Sequence, residues 1–422
     1  MFIRILCSEC GKEFSFGTLG RCPGCESILQ PVYSDQSILG LKDIPRGEGI
    51  DRYRSLMPVS TPIPFLGEGN TPLVPSRRIG PALGINHLYF KLEGCNPTGA
   101  FKDRGASLVA ALALEAGAKG VVTASSGNAG AAISAYSAAV GLPCLLLLEP
   151  GAPPAKLRQA LTTGAKVLCV KGVFSHGPKA SGDLILEIAS ALNYYPGFIW
   201  APVNPYPLEA MKTISYEVVN QLSTFPEVVV SPVGGGDLLT GQWRGYLELK
   251  RAGLITQLPR MVGVQSLSAP PLVEAFRKGL KRIETLPYAN SKISGINVPF
   301  SGEHALQAIR ASEGTAVGVP DDDVFEVQRR LALEEGIWVE PASVASVTAL
   351  RSLMEQGLLK PHERVVCLLT GAGFKDSKLA EAEAEAISRQ SPVPFDAEAI
   401  VAEVRKYKSP PLGCPTIPFR PT

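Results

Sequence analysis

Short apolar runs alternate with longer helical patterns through most of this 422-residue chain. Candidate strands lie at residues 88–91, 121–124, 144–148, 166–170, 198–201, 228–231, 261–264 and 365–369. Helical patterns lie at residues 129–140, 155–162, 180–192, 208–222, 238–250, 322–335 and 344–355. Strands and helices that alternate in this way are typical of parallel sheets with helices on both faces. The sequence therefore predicts an α/β fold.

The length and the charge of the chain limit the number of domains and the kinds of binding partner that we expect. A chain of this length has room for two or three domains. Charged residues make up 19% of it and the net charge is +2, so no basic surface for nucleic acid is indicated. Residues 120–148 carry no charge, but the polar turn at 125–128 and Pro143 favour buried strands and a helix over a membrane span. With no signal-peptide pattern, we expect a cytoplasmic protein that contacts neither membranes nor nucleic acid.

Four cysteines near the N-terminus form two Cys-x-x-Cys pairs. Cys7 and Cys10 make the first pair, and Cys22 and Cys25 make the second. Two such pairs, each with a glycine in or beside its turn, suit tetrahedral thiolate ligation of Zn²⁺. Two disulfides are one alternative, but they are typical of secreted proteins. A redox-active cysteine pair is another, but it would not need a second Cys-x-x-Cys pair. The sequence predicts a structural zinc ribbon over residues 1–30, with no ligand position left open for catalysis.

One lysine stands inside a turn-rich segment just before a helical run. Residues 96–105 read Asn-Pro-Thr-Gly-Ala-Phe-Lys-Asp-Arg-Gly, and the Asn-Pro and Thr-Gly pairs indicate irregular backbone. Lys102 should therefore lie at a loop-to-helix junction, where functional groups are often presented. Taken alone, Lys102, Asp103 and Arg104 equally suit a solvated charge cluster at the start of a helix.

Three polar turns follow predicted strands, at the edge where α/β sheets bind their ligands. Residues 125–128 (Ser-Ser-Gly-Asn) precede a helix and suit a carboxylate, whereas the three glycines at 234–236 let the backbone approach a phosphate. Thr370 opens the third turn. The chain has neither the Gly-x-Gly-x-x-Gly pattern of dinucleotide sites nor a P-loop lysine. A lysine, a carboxylate site and a phosphate site together suit pyridoxal phosphate, which carries an aldehyde and a phosphate.

These motifs resemble a known family. The lysine segment is similar to that of the threonine synthase family, which belongs to the tryptophan synthase β family, fold type II of the pyridoxal-phosphate enzymes. The resemblance runs from about residue 68 to residue 376, with several separate motifs in the family's order. It implies two parallel-sheet α/β domains with the cofactor between them, and a homodimer.

The resemblance also implies roles for individual residues. Lys102 would bind the cofactor aldehyde covalently and then move protons at Cα and Cβ of the substrate. The cofactor would contact Phe101 with its ring, Asn128 with O3′, Gly234, Gly235, Gly236 and Leu238 with its phosphate, and Thr370 with its pyridine nitrogen. The substrate carboxylate would lie against Ser125, Ser126 and Gly127. Asp237 must point away from the phosphate or cap its helix, because an inward carboxylate would repel the phosphate.

The implied activity is that of a carbon–oxygen lyase in amino-acid biosynthesis, which converts O-phospho-L-homoserine and water to L-threonine and phosphate. The chain departs from the family at Pro207, where an arginine normally grips the substrate phosphate. The basic residues that could compensate are Lys156, Arg158, Lys179 and Lys212. Three alternatives stay open: replacement at Cβ of O-phosphoserine, as in cysteate synthase; dehydration of threonine or serine; and a homologue without catalytic activity.

We expect four regions along the chain. The zinc ribbon at residues 1–30 is followed by a wrapping segment at 31–87. The catalytic core spans 88–390, with a smaller subdomain at about 105–200. Residues 391–422 should form a C-terminal helix and a proline-rich tail.

Overall fold

The computed structural model of the protein describes residues 3–44, 47–125, 127–150, 154–174, 177–377, 380–381, 385 and 393–406. The chain forms two compact units, Met1–Asp376 and Ser377–Thr422. All the sheets described below belong to the first unit. In the second unit a helix spans Ala397–Lys406, and the tail that the sequence predicts after it lies outside the described residues.

The strands and helices of the first unit alternate as the apolar pattern predicts. The strands are β1 (Ile3–Cys7), β2 (Glu13–Phe14), β3 (Leu29–Tyr33), β4 (Leu73–Pro75), β5 (His87–Leu92), β6 (Val121–Ala124), β7 (Cys144–Leu148), β8 (Lys166–Cys169), β9 (Tyr195–Pro196), β10 (Val228–Pro232), β11 (Arg260–Ser266), β12 (Thr315–Val319) and β13 (Arg364–Leu369). The helices are α1 (Asp35–Leu39), α2 (Ile79–Ala82), α3 (Lys102–Glu115), α4 (Asn128–Ala139), α5 (Pro154–Thr162), α6 (Gly177–Leu192), α7 (Pro207–Leu222), α8 (Asp237–Arg251), α9 (Pro271–Arg277), α10 (Glu303–Ala311), α11 (Asp321–Glu335) and α12 (Pro341–Glu355).

Three sheets organise these elements. A six-stranded sheet has the order β12-β11-β10-β13-β5-β4, in which only the edge strand β4 runs antiparallel. A four-stranded parallel sheet has the order β8-β7-β6-β9. The N-terminal sheet β2-β1-β3 is antiparallel throughout. The predicted α/β class with parallel sheets is confirmed.

Buried runs of branched and long aliphatic residues explain the central strands. Every residue of β6, β7 and β10 is buried, as expected for strands with helices on both faces. Small residues allow close contact where α7 meets α8, since a Cβ on Gly241 would lie 2.5 Å from the Cβ of Met211. This contact fixes α8, whose first turn borders the candidate site, against α7.

The prediction of a strand at residues 198–201 is wrong. Strand β9 ends at Pro196, and the chain then turns, with the N–H of Val203 and the N–H of Asn204 both bound to the carbonyl of Trp200. Pro202 and Pro205 flank this turn and carry no N–H for a sheet ladder. The apolar side chains there are buried by loops instead of by strands. No helix among the described residues is long and apolar enough to cross a membrane.

Candidate active site

Lys102 is the first residue of α3, at the loop-to-helix junction that the sequence predicts. Asp103 accepts hydrogen bonds from the N–H and the hydroxyl of Thr98, which folds the preceding loop back onto the helix start. Gly99 has a φ of +86° and lies against the ring of Phe374, so a side chain at this position would clash. These contacts fix the backbone of the loop that leads into Lys102.

The side chain of Lys102 is half-buried. Its Nζ is 3.5 Å from the carbonyl oxygen of Ile199 and 5.0 Å from the centre of the Phe101 ring. Burial lowers the pKa of the Lys102 amine, and the nearby carboxylate of Asp237 acts in the opposite direction. Phe101 thus packs beside the amine, where we had expected it to contact the cofactor.

A buried ionic network holds α3 in place two residues after Lys102. The guanidinium of Arg104 donates to both carboxylate oxygens of Glu93 at 2.8 Å and to those of Glu217 at 2.6 and 2.7 Å. Glu217 also accepts from Lys91 at 2.7 Å. Burial opposes the ionisation of Glu217, but the charges of Arg104 and Lys91 outweigh it and lower its pKa to about 2. Sequence reasoning treated Arg104 only as part of a surface cluster and missed this network.

The carbonyls of the first two glycines after β10 are paired, whereas the N–H groups of the loop are not paired within the part of the chain that the structure describes. The hydroxyl of Ser301 donates to the carbonyl of Gly234 at 2.7 Å. The carbonyl of Gly235 accepts from the N–H of Gly302 at 3.0 Å and from the indole N–H of Trp200 at 3.3 Å. Among the described residues, no acceptor contacts the backbone N–H groups of 234–238. These free donors stand at the start of α8.

Two of the three glycine positions exclude a side chain. A Cβ on Gly235 would lie 2.8 Å from the Trp200 ring, and Gly236 has a φ of +101° with Ala305 2.7 Å from its Cβ position. Unpaired N–H groups at a helix N-terminus bind anions, and the helix dipole adds to the attraction. We call residues 234–238 the phosphate cradle, since they offer the donors that a phosphate needs.

Asp237 is directed out of the phosphate cradle. Its Oδ2 accepts from the N–H of Ala201 at 2.9 Å, and its Oδ1 lies 3.0 Å from Nε2 of His304. Both side chains are buried. The sequence predicted that Asp237 would turn away, but gave His304 no role, because its partner lies 67 positions away in the chain.

Asn128 and Thr370 meet at a third residue that sequence reasoning missed. The amide of Asn128 donates to Oε2 of Glu340 at 2.9 Å, and the hydroxyl of Thr370 donates to Oε1 at 3.1 Å. Burial raises the pKa of Glu340, whereas these two hydrogen bonds act to lower it. The N–H of Phe101 donates to the carbonyl of Thr370 at 2.9 Å, so this cluster adjoins the lysine loop. The sequence signal that could have revealed Glu340 is an acidic residue inside the largely apolar run 337–345.

The polar turn after β6 leads directly into α4. The hydroxyl of Ser125 accepts from the N–H of Gly127 at 3.2 Å, and α4 begins at Asn128. Ser126 lies outside the described residues. Helix α4 approaches the strand end closely, because a Cβ on Gly130 would lie 2.5 Å from the carbonyl oxygen of Ser125. The start of α4 is thus placed to attract an anion.

Four thiols converge at the N-terminal sheet. The sulfur atoms of Cys7, Cys10, Cys22 and Cys25 all lie within 4.8 Å of one another. Cys7 and Cys25 are 3.3 Å apart, and Cys10 and Cys22 are 3.7 Å apart. Zn–S bonds of about 2.3 Å in a tetrahedron place sulfurs about 3.8 Å apart. The four residues therefore fit a single tetrahedral metal ion.

The basic residues considered as substitutes for the family's arginine do not gather at Pro207. Pro207 is buried at the start of α7, with Gly105 of α3 beside its ring. Lys212 is buried and paired with Glu209 and Glu248, and Lys179 is paired with Asp183 on the surface. Arg158 is exposed, and the side chain of Lys156 lies outside the described residues.

Another amine lies beside the lysine loop. Nζ of Lys375 donates to the carbonyl of Thr98 at 2.8 Å and also contacts the side-chain oxygen of Gln159. Burial lowers the pKa of Lys375, and the carboxylates of Glu340 and Asp103 oppose that shift. Lys375 therefore joins the loop before Lys102 to helix α5.

Comparison of the sequence with known proteins identifies a family and several relatives of this chain. Residues 64–371 match a family of pyridoxal-phosphate dependent enzymes. The threonine synthase of Methanocaldococcus jannaschii is 38% identical over 386 residues, which cover 89% of this chain and 93% of that protein. The threonine synthase of Methanosarcina acetivorans is 37% identical, over 88% of this chain and 91% of that protein.

Solved structures share the architecture at lower identity. Maize serine racemase superposes with a TM-score of 0.67 at 20% identity and covers 84% of this chain and 98% of its own. The processed form of threonine deaminase isoform 2 from Solanum lycopersicum gives a TM-score of 0.64 at 20% identity, with 88% and 98% covered. At this level of identity, the structural similarity supports the assignment of the fold and no more.

Proposed function

The chain belongs to the family of pyridoxal-phosphate-dependent enzymes, and we propose that it is a carbon–oxygen lyase that performs the threonine synthase reaction. In that reaction O-phospho-L-homoserine and water give L-threonine and phosphate. The observation that carries the proposal is the half-buried Lys102 at the start of α3, in a chain 38% identical to a threonine synthase over 89% of its length.

Pyridoxal phosphate fits the groups that this site offers. The free N–H groups of the phosphate cradle and the start of α8 provide donors for its phosphate. The amine of Lys102 is the nucleophile that its aldehyde requires. Asn128, Glu340 and Thr370 supply polar atoms for the edge of its ring. When bound, the cofactor withdraws electrons from the Cα of an attached amino acid, which side chains alone cannot do.

Lys102 would hold the cofactor and move protons of the substrate. Burial lowers the pKa of its amine, so more of the amine is neutral near pH 7 and able to accept a proton. The carboxylate of Asp237 opposes this shift, which keeps the protonated form accessible for the return of the proton. A buried lysine whose amine can take up and return a proton suits proton transfer at Cα and Cβ.

The substrate carboxylate and phosphate need separate partners. We assign the carboxylate to the turn of Ser125, Ser126 and Gly127 at the start of α4, where the helix dipole attracts an anion. For the leaving phosphate we assign Lys375, because Pro207 offers no donor and the amine of Lys375 lies beside the loop that carries Lys102. A lysine binds phosphate as a point charge, which needs less exact geometry than an arginine fork.

Dehydration of threonine or serine is the second candidate reaction. One feature favours a substrate without phosphate, since Pro207 stands in place of the arginine that would grip the substrate phosphate. A hydroxyl leaving group would need no further cation. The two reactions differ in what they release, since one gives phosphate and the other gives ammonia and a 2-oxo acid.

We further infer a cytoplasmic homodimer that acts on small amino acids without a nucleic-acid or membrane partner, and a Zn²⁺ ion held by Cys7, Cys10, Cys22 and Cys25. The net charge of +2, with both signs dispersed, supports the absence of a polyanionic partner. The sulfur spacing supports the metal. Sedimentation and metal analysis of the purified protein test these inferences.

A panel of substrates tests the proposed reaction. The purified holoenzyme is incubated separately with O-phospho-L-homoserine, O-phospho-L-serine, L-threonine and L-serine, and phosphate, ammonia and amino-acid products are measured. We expect phosphate and L-threonine from the first compound. Release of ammonia from threonine or serine, with no phosphate from either phosphorylated compound, would favour the dehydratase. Phosphate from O-phospho-L-serine alone, with an amino acid as the other product and no ammonia, would favour replacement at Cβ.

A further inference from the structure

The loop that replaces the expected strand lies between the candidate active site and the N-terminal sheet. We call residues 199–206 the strap. All of them are buried. Three consecutive residues of the strap contact the site: the carbonyl of Ile199 lies 3.5 Å from the amine of Lys102, the indole of Trp200 donates to Gly235, and the N–H of Ala201 donates to Asp237. The strap therefore borders both the lysine and the phosphate cradle.

The other side of the strap is attached to the N-terminal sheet and its cysteine turns, residues 3–33, which we call the ribbon. The N–H of Gly20 donates to the carbonyl of Val203 at 2.9 Å. The phenol oxygen of Tyr206 accepts from the N–H of Gly17 at 2.8 Å and donates to the carbonyl of Thr18 at 3.1 Å. These ribbon residues lie between the two cysteine pairs, so their position depends on how the pairs are held.

Side-chain packing strengthens the same junction. The guanidinium of Arg21 lies 5.6 Å from the centre of the Trp200 ring, and the ring of Phe16 lies 5.6 Å from that of Tyr206. Within the strap, the amide of Asn204 bonds to the carbonyl of Pro196 at 2.8 Å. That bond ties the strap to the end of β9. The side of the strap opposite the candidate active site is held by its contacts with the ribbon.

We propose that the metal-loaded ribbon positions the strap against Lys102 and the phosphate cradle, so that metal binding at the four cysteines and cofactor binding at Lys102 strengthen each other. Ile5, Leu29 and Tyr33 anchor β1 and β3 in the main core. Residues 11–21, between the cysteine pairs, contribute no buried residue to that core, so their order depends on the metal. Loss of the metal releases the attachments at Gly17, Thr18 and Gly20. The indole donor and the Ala201 N–H then lose their fixed positions beside the cradle, which lowers the affinity for the cofactor phosphate.

The proposal requires that the chain bind pyridoxal phosphate, but it does not depend on which reaction follows. Its test therefore uses binding constants in place of turnover. Dissociation constants for pyridoxal phosphate are measured by absorbance titration of the full-length protein with and without Zn²⁺. Dissociation constants for Zn²⁺ are measured by competition with a chromogenic chelator, with and without pyridoxal phosphate.

We expect removal of Zn²⁺ to weaken cofactor binding at least fivefold, and pyridoxal phosphate to tighten Zn²⁺ binding by the same factor, because coupling between two sites is reciprocal. Equal cofactor affinity with and without Zn²⁺ would overturn the proposal. If the ribbon merely stabilises the fold, loss of Zn²⁺ lowers the melting temperature while the affinity of the folded protein for pyridoxal phosphate stays the same.

Tyr206→Phe tests the attachment without removing the metal. The variant keeps the packed ring and loses both hydrogen bonds to the ribbon. We expect it to retain one equivalent of Zn²⁺, to bind pyridoxal phosphate at least threefold more weakly, and to show a coupling factor closer to one. Tyr246→Phe is the matched control, because its buried phenol pairs with Ser215 on α7. Wild-type cofactor affinity and coupling in Tyr206→Phe would refute the assignment of the strap.

Discussion

The buried network around Arg104 leads to a quantitative prediction for Glu217→Gln. Arg104 and Lys91 are balanced by Glu93 and Glu217, and the side chains of all four are at most 1% exposed. The pKa of Glu217 falls from its usual 4.5 to about 2 in the folded protein. A difference of about 2.5 pKa units corresponds to about 3 kcal/mol of stability. Removing one partner of a buried ion pair costs a similar amount, about 3 to 5 kcal/mol.

The pH dependence of this loss has a definite sign. Because the pKa of Glu217 is lower in the folded protein than in the unfolded chain, its contribution is complete above about pH 5.5 and is lost as the pH falls toward 2. We therefore expect Glu217→Gln to cost about 3 kcal/mol at pH 7. The difference from wild type should shrink by about 1 kcal/mol at pH 3.5.

Urea unfolding of the full-length protein at several pH values measures both quantities. Tryptophan fluorescence and circular dichroism should give coincident transitions, so that one free energy of unfolding is compared. Glu355→Gln is the control, since Glu355 pairs with Arg351 on the surface and its loss should cost less than about 1 kcal/mol. A cost below 1 kcal/mol for Glu217→Gln, or a cost that does not change between pH 7 and 3.5, would refute the reasoning.

Three further substitutions test the site itself. Lys102→Ala should abolish turnover and the covalent attachment of the cofactor, with the circular dichroism spectrum unchanged; retained turnover would exclude Lys102 as the catalytic lysine. Gly235→Ala should weaken cofactor binding at least tenfold in an absorbance titration, because its Cβ would lie 2.8 Å from Trp200, whereas Gly40→Ala, with no atom within 4 Å, should have no effect. Lys375→Met should raise KM for O-phospho-L-homoserine at least tenfold with little change in kcat; an unchanged KM would place the leaving phosphate elsewhere.

The sequence was most informative where one local pattern decides the structure. The runs at β6 and β7 were placed correctly because strands buried on both faces are continuous in apolar residues. The run at 198–201 is equally apolar, yet Trp200 and Ala201 lie against the ribbon and the phosphate cradle, and nothing within the run reveals those partners. His304 and Glu340 were missed for the same reason, since each pairs with a residue that is distant in the chain.

The first turn of α3 carries two cationic side chains with different roles. Arg104 anchors the helix, and Lys102 is the residue that would bind the cofactor. Lys102 and Arg104 are two positions apart, so their side chains leave the helix about 200° apart. The guanidinium is neutralised by Glu93 and Glu217, and the charge that acts on the amine of Lys102 is that of Asp237. Arg104 can therefore anchor the helix without altering the charge of the lysine. It follows that Glu217→Gln should leave the pH dependence of the cofactor absorbance unchanged while it destabilises the fold, and a shifted absorbance profile would show that the two groups are electrostatically coupled.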